Sequence, residues 1–334
     1  MNKLFNIKRT KMIDEAAKGH NPRAFGKIFL AVFLVYIISN AITNLVTTVP
    51  TTIYYLALAI QNGTYAEIEA AVLSGNTSLA TSLLYSMMTT LPWWASLLQL
   101  LGGGVLFGAV IIYWKKFEKR KITSLGIRRG LIPLELLYGT LIGGALVLLT
   151  LTVALLTGTL KLSFGGFSFA VLLFPLGFLA FAVGEEILIH GLLMTSLARD
   201  IKPVYAVLIS SLVFSLLGFS YTLDAMYFLN TFLFNFLLGA FVLKRGNIWG
   251  SIMIKATWGF LSVSVLGMSA CGFSPMISIF EPTYGKGQIV SGSLDFGFES
   301  SVVFTLLLVL AIALVLLLKT KAKEKSEVEI EYFK

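Results

Sequence analysis

Cysteine, histidine and charge are all scarce in this chain. The single Cys271 excludes an intrachain disulfide and any metal site built from CxxC pairs. Only two histidines, His20 and His190, are present, and His20 falls in the polar N-terminus, so a site needing two imidazoles cannot be assembled. Charged residues make up 13% of the 334, where an ordinary soluble domain has roughly a quarter. There is no Walker or Rossmann glycine pattern, no internal repeat and no appended polar domain, which removes nucleotide-binding and solenoid classes.

What is present is apolar: 57% hydrophobic residues and a mean hydropathy of +0.85. Runs of about 20 apolar residues, enough to cross a bilayer as a helix, occur near 29 to 49, 94 to 114, 134 to 157, 168 to 191, 203 to 220, 225 to 243, 248 to 268 and 301 to 318. They predict an all-α, polytopic transmembrane helix bundle of about eight spans.

Charge placement tests the count, because Lys and Arg gather in short cytoplasmic loops. They crowd residues 1–28, then the segment of Lys115, Lys116, Lys119, Arg120, Lys121, Arg128 and Arg129. Arg199 and Lys202, Lys244 and Arg245, and the tail 319–334 fall on the same side in an eight-span model. All but Lys161, Lys255 and Lys286 of the 26 basic residues are then cytoplasmic, as are both termini, and a plasma-membrane location is expected. The net charge of +9 is accounted for by topology, with attraction to anionic headgroups of the lipid bilayer as a secondary effect. Nucleic acid is not an expected partner. No cleavable signal peptide is evident, since a charged lead precedes the first apolar run.

The expected organisation is a basic N-terminus (1–28), two helices with an outer hairpin over 51–93 (29–114), a membrane core (115–270), an ordered outer loop (271–300), a last span (301–318) and a charged tail (319–334). Within the hairpin, AEIEAAVL has helical apolar spacing. It suits either a cap over helix ends or a surface for a partner. The sequons at Asn62 and Asn76 are a pattern common by chance.

Four ionisable residues fall inside the apolar runs: Glu185, Glu186, His190 and Lys255. Charge at that depth is costly and marks a bundle interior or a working site. Four residues apart on a helix, Glu186 and His190 share a face, while Glu185 points about 100° away from Glu186. Lys255 lies ~15 Å and Glu186 ~20 Å along their helices from the nearest cytoplasmic arginine, by the helical rise. The depths suit an ion pair of Lys255 with one glutamate, leaving His190 to the other.

These residues carry a resemblance. Glu185-Glu186-Ile-Leu-Ile-His190 followed by Gly191 is similar to an EExxxRG motif. Phe214-Ser-Leu-Leu-Gly218 matches FxxxH, and Lys255-Ala-Thr-Trp-Gly259 matches HxxxN or HxxxD, after NTFLFNFLLGAFVLKRG. In this order they resemble the CPBP intramembrane proteases, a family that includes type II CAAX prenyl endopeptidases and bacteriocin-processing or self-immunity proteins. The resemblance covers about residues 115 to 270, from the polar RKITSLGIRRG onward, and implies a CAAX-protease-like helical core. In the family the paired Glu is thought to act as general base, with the two His and the Asn or Asp activating water or binding a metal.

The departures are as informative. His190 stands where the motif has Arg, Gly218 and Lys255 where it has His, and Gly259 where it has Asn or Asp. A catalytic zinc site needs three protein ligands and an open position, and a lysine ammonium among them opposes metal binding. No cofactor is therefore expected, zinc entering only if the chain is a working protease.

Each feature has a structural reading beside the functional one. Glu185, Glu186 and Lys255 can form a salt bridge that fixes helix register, His190 can simply pack against Glu186, and Phe214 and Trp258 can be core. Gly102, Gly103, Gly104, Gly218 and Gly259 suit close helix approach. Three functions follow. The favoured one is a catalytically degenerate relative, a membrane scaffold or immunity-type protein that binds a membrane or cell-envelope partner. A glutamate-dependent endopeptidase using Glu185, Glu186 and His190 on a membrane peptide or CAAX-like substrate is the second. An ion-coupled transporter is the third, without the repeat or broken-helix pattern that would support it.

Overall fold

A chain in lipid must satisfy its backbone internally, and an α-helix does so along its own length. The computed structural model describes residues 9–18, 25–88, 92–128, 132–219, 224–275 and 277–318, and a helix falls within each of the eight expected runs. His20 and the tail 319–334 lie outside the described residues. After a short α1 (Lys11–Ala17) come α2 (Phe25–Gln61), α3 (Thr64–Leu73), α4 (Thr77–Met88), α5 (Trp93–Tyr113) and α6 (Ile132–Leu156). Then follow α7 (Phe174–Glu186), a short α8 (Thr195–Leu197), α9 (Pro203–Phe219), α10 (Ala225–Arg245), α11 (Trp249–Phe260), a short α12 (Gln288–Ser291) and α13 (Val302–Leu317). Among the described residues, five helical stretches are able by length and composition to cross a membrane: Gly26–Gln61, Trp93–Glu118, Ile132–Leu156, Phe169–Leu197 and Ala225–Arg245. Pro203–Gly218 and Val302–Leu317 are shorter apolar helices.

The first helix does not stop near residue 49, where the sequence suggested a turn into the hairpin. It runs through Pro50 for 37 residues, about 55 Å at the helical rise, well beyond a hydrocarbon layer of about 30 Å. Pro50 has no N–H for the Val46 carbonyl four residues back; in the flanking turns Thr47 donates to the Thr43 carbonyl at 2.8 Å and Thr51 to the Thr47 carbonyl at 2.6 Å. The hairpin proper is therefore α3 and α4.

At the same end as this hairpin, opposite the basic loops, the all-α bundle acquires a two-stranded antiparallel sheet. Strand β1 (Leu160–Phe164) pairs with β2 (Phe280–Tyr284), Leu160 opposite Tyr284 and Phe164 opposite Phe280. The alternation in LKLSF is the period-two signal of such a strand. At the basic end, charges lock the loops rather than merely facing water. Arg120 is buried with its Nη2 3.0 Å from Glu118 and 2.7 Å from Ser196 Oγ. Burial lowers its guanidinium to about 10, against the pull of Glu118, so it stays charged at neutral pH. Arg245 pairs with Glu135, and Lys244 Nζ donates to the carbonyls of Leu316 and Leu318 at the end of α13.

Helices without a hydrophobic drive toward one another approach through small residues. Of three successive glycines on α5, Gly102 faces the Thr43 side chain of α2 and Gly103 faces the backbone of Ala180 on α7, whereas Gly104 has nothing within 4 Å. Gly184, directly before Glu185, meets the backbone of Gly103. On the far side, Gly139 and Gly143 of α6 let the carbonyls of Gly250 and Ile254 on α11 come close. These contacts hold α7 and α11 in fixed register, and both carry site residues.

Adding a methyl at Gly103 or Gly143 must push backbone apart, so Gly103→Ala and Gly143→Ala are expected to destabilise the folded protein by about 1–3 kcal/mol. At Gly144, which has open space, the same change should cost less than about 0.5 kcal/mol. Unfolding of the purified protein in detergent measures all three. Equal effects at Gly143 and Gly144 would refute the close-approach assignment.

Candidate functional site

Glu185 and Glu186 close α7, and the chain passes at once into a π-helical turn, Ile187–Met194, that carries His190. Such turns widen a helix locally and recur at functional sites. Lys255 reaches the pair from α11. Its Nζ lies 3.1 Å from Glu185 Oε2 and 3.1 Å from Glu186 Oε1, so one ammonium bridges both carboxylates. The Lys255 side chain is 3% exposed, Glu185 12% and Glu186 fully buried.

His190 donates from Nδ1 to Glu186 Oε2 at 2.8 Å, the carboxylate being an acceptor only. The sequence reading assigned the lysine to one glutamate and the histidine to the other. Instead Glu186 holds both partners, one on each oxygen, while Glu185 holds the lysine alone. The 100° between successive residues does not separate the two acids, because the flexible lysine stem lets a single charge sit between them. The other ring nitrogen of His190 is buried without a hydrogen-bond partner. It faces Gly239 of α10, where a Cβ would lie 3.0 Å from the ring.

Phe214 is not only core: Lys255 Nζ stands 4.4 Å from its ring centroid, a cation–π contact that partly replaces water around the ammonium. Gly259 is a close-approach point, packed on the Phe178 ring. Gly218 is not. A Cβ there would meet only the Tyr227 hydroxyl at 3.9 Å, and the residue borders a small cavity of about 100 Å³ instead.

A larger cavity of about 450 Å³ lies on the side away from the basic loops, between α2, α5, α7 and the 269–299 loop. Glu185, Tyr227, Cys271 and Glu299 form part of the wall of both cavities. Glu299, within the segment 271–300 expected as an ordered outer loop, thus belongs beside the four intramembrane residues. Its Oε1 accepts from Trp258 Nε1 at 2.9 Å and from the Cys271 amide at 3.0 Å. Trp258 in turn stacks on Phe304 with centroids 4.1 Å apart. The sequence signal for this role of Glu299 is its position three residues ahead of α13, just outside the apolar run 301–318.

Zinc is the ion a working relative would bring to such acids. The residues here do not fit it: the ammonium of Lys255 fills the space between the two carboxylates that a divalent cation would need. His190 turns Nδ1 onto Glu186, and its other nitrogen, Nε2, faces Gly239 of α10. Among the described residues, no three His, Cys, Asp or Glu side chains are grouped as ligands would be.

A model of the family described as "Rce1-like: Type II CAAX prenyl endopeptidase Rce1-like" matches residues 166–261. The match runs from just before α7 to the end of α11 and so contains all of Glu185, Glu186, His190, Phe214, Gly218, Lys255 and Gly259. This part of the chain is similar to that family, as the motifs indicated. No curated protein and no solved structure matches the chain.

The donor geometry sets a measurable expectation. Protein incubated with zinc and desalted should retain far less than a stoichiometric amount by elemental analysis. Stoichiometric zinc that disappears in Glu186→Ala would show that these residues do hold the ion.

Proposed function

Taking an Rce1-like membrane core as the premise, we propose that this chain is a non-hydrolytic relative of the endopeptidases, a membrane-embedded binding or scaffold protein of immunity type. The bridge from Lys255 Nζ to both glutamates at 3.1 Å is the observation that carries the reading. A general base must present a free oxygen to the water it deprotonates. Glu186 has neither oxygen free for that purpose, and Glu185 shares its charge with the same ammonium. Moreover, no imidazole stands at positions 218 or 255 to stabilise an oxyanion, and position 259 has no side chain to orient water.

The partner in this reading is a membrane or cell-envelope protein, met in a plasma membrane with both termini of the chain cytoplasmic. Basic residues concentrated at one end of the bundle support that orientation. One observation favours the second reading, a glutamate-dependent endopeptidase: Glu185 borders the larger cavity, which has room for a peptide segment.

Membranes expressing wild type or the Glu185→Ala/Glu186→Ala variant can be compared by mass spectrometry of membrane-protein termini. The binding reading expects no shortened protein specific to wild type. A cleavage product that vanishes with Glu185→Ala would establish the protease instead.

A further inference from the structure

The ion cluster is short of positive charge. Glu185, Glu186 and Glu299 are three acids in one low-dielectric region, and Lys255 pairs with the first two. Glu299 is 6% exposed, and among the described residues no Lys or Arg stands at ion-pair distance from it. Its partners are an indole, a backbone amide and the Cys271 thiol, all neutral. A buried carboxylate so placed either takes a proton or takes a cation. Burial does raise the Glu299 carboxyl above the usual range, so both outcomes are open to chemistry.

The cavity that Glu299 borders is lined by acids and aromatic rings. Asp295 is exposed along its lining and Glu185 and Glu299 lie in its wall, with no Lys or Arg among the residues that line it. Tyr36, Tyr227 and Phe296 add aromatic faces, the last two with centroids 4.6 Å apart. Carboxylates combined with ring faces are the usual recognition chemistry for alkylammonium and guanidinium groups. The size, about 450 Å³, is that of a pocket for an organic ligand, on the order of 300–1,000 Å³, and greatly exceeds the ~30 Å³ share of a water molecule.

We propose that this cavity binds an organic cation, a primary ammonium or guanidinium on a flexible stem such as a peptide side chain supplies, with its charge against Glu299. The site shares Glu185 with the bridged pair as part of its wall, and it does not rest on the absence of hydrolysis. Glu185 keeps Lys255, while Glu299 supplies the open negative charge. Asp295 attracts the guest from the face opposite the basic loops.

Calorimetric titration of the full chain in nanodiscs tests this, with three probes: a short lysine-bearing peptide, the same peptide with its lysine acetylated, and cadaverine. The peptide or the free diamine should bind wild type, and acetylation should weaken the peptide at least about tenfold, a factor worth 1.4 kcal/mol. Glu299→Gln, which keeps an acceptor for Trp258, should weaken binding by about the same factor. Asp295→Asn, on an exposed residue, supplies a second variant if Glu299→Gln fails to fold, and should lower affinity severalfold. Binding of the peptide alone identifies a peptide guest, and binding of cadaverine identifies a small amine; either supports the site. No binding by any probe, equal binding of acetylated peptide, or affinity unchanged in the variants overturns it. Since cleavage is not the readout, a wild type found to cut a membrane protein would leave this result standing.

Discussion

One ammonium compensates two carboxylates in a space from which water is largely excluded, and the surrounding structure is arranged to make that possible. Taking an ion out of water costs several kcal/mol even after relaxation. Lys255, Glu185 and Glu186 must therefore meet at close range or not be buried at all. Their geometry meets the requirement: 3.1 Å to each acid, a ring 4.4 Å from the ammonium, and His190 on the remaining oxygen of Glu186. Such a bridge fixes which residues of α7 and α11 lie side by side, and this register role is its best-founded consequence.

Small residues complete what the charges begin. Gly184 beside Gly103 brings α7 against α5 one residue before the first glutamate, and Gly143 brings α6 against α11 within reach of Lys255. Gly239 leaves room for the imidazole. The same close packing excludes water from Glu186 while Glu185 still touches a cavity, so two adjacent glutamates occupy different surroundings. Lys255, at the position where the motif has histidine, thus engages Glu185 and Glu186 together.

Much of this was legible in the sequence, for a physical reason. Charge inside an apolar run is so costly that its few instances report a site, and 20-residue apolar runs report helices. The depth of Lys255 and Glu186, read from the helical rise, was enough to anticipate their pairing. Other features depend on tertiary structure. The helix α2 continues through Pro50, a residue that ordinarily ends one, and Gly218 borders empty space although Gly259 on a similar pattern is packed. Glu299 was missed because it belongs to no periodic element and joins the site across a long loop. The pairing of β1 with β2, more than a hundred residues apart, is of the same kind.

The central claim is that Lys255 neutralises the glutamate pair, and a double-mutant cycle of folding stability tests it most directly. Lys255→Met alone should cost about 3–5 kcal/mol by stranding buried carboxylates. Most of that loss should return when Glu185 and Glu186 are both glutamine. Strict additivity, with Lys255→Met costing the same whether or not the acids are present, would show that the ammonium does not serve them.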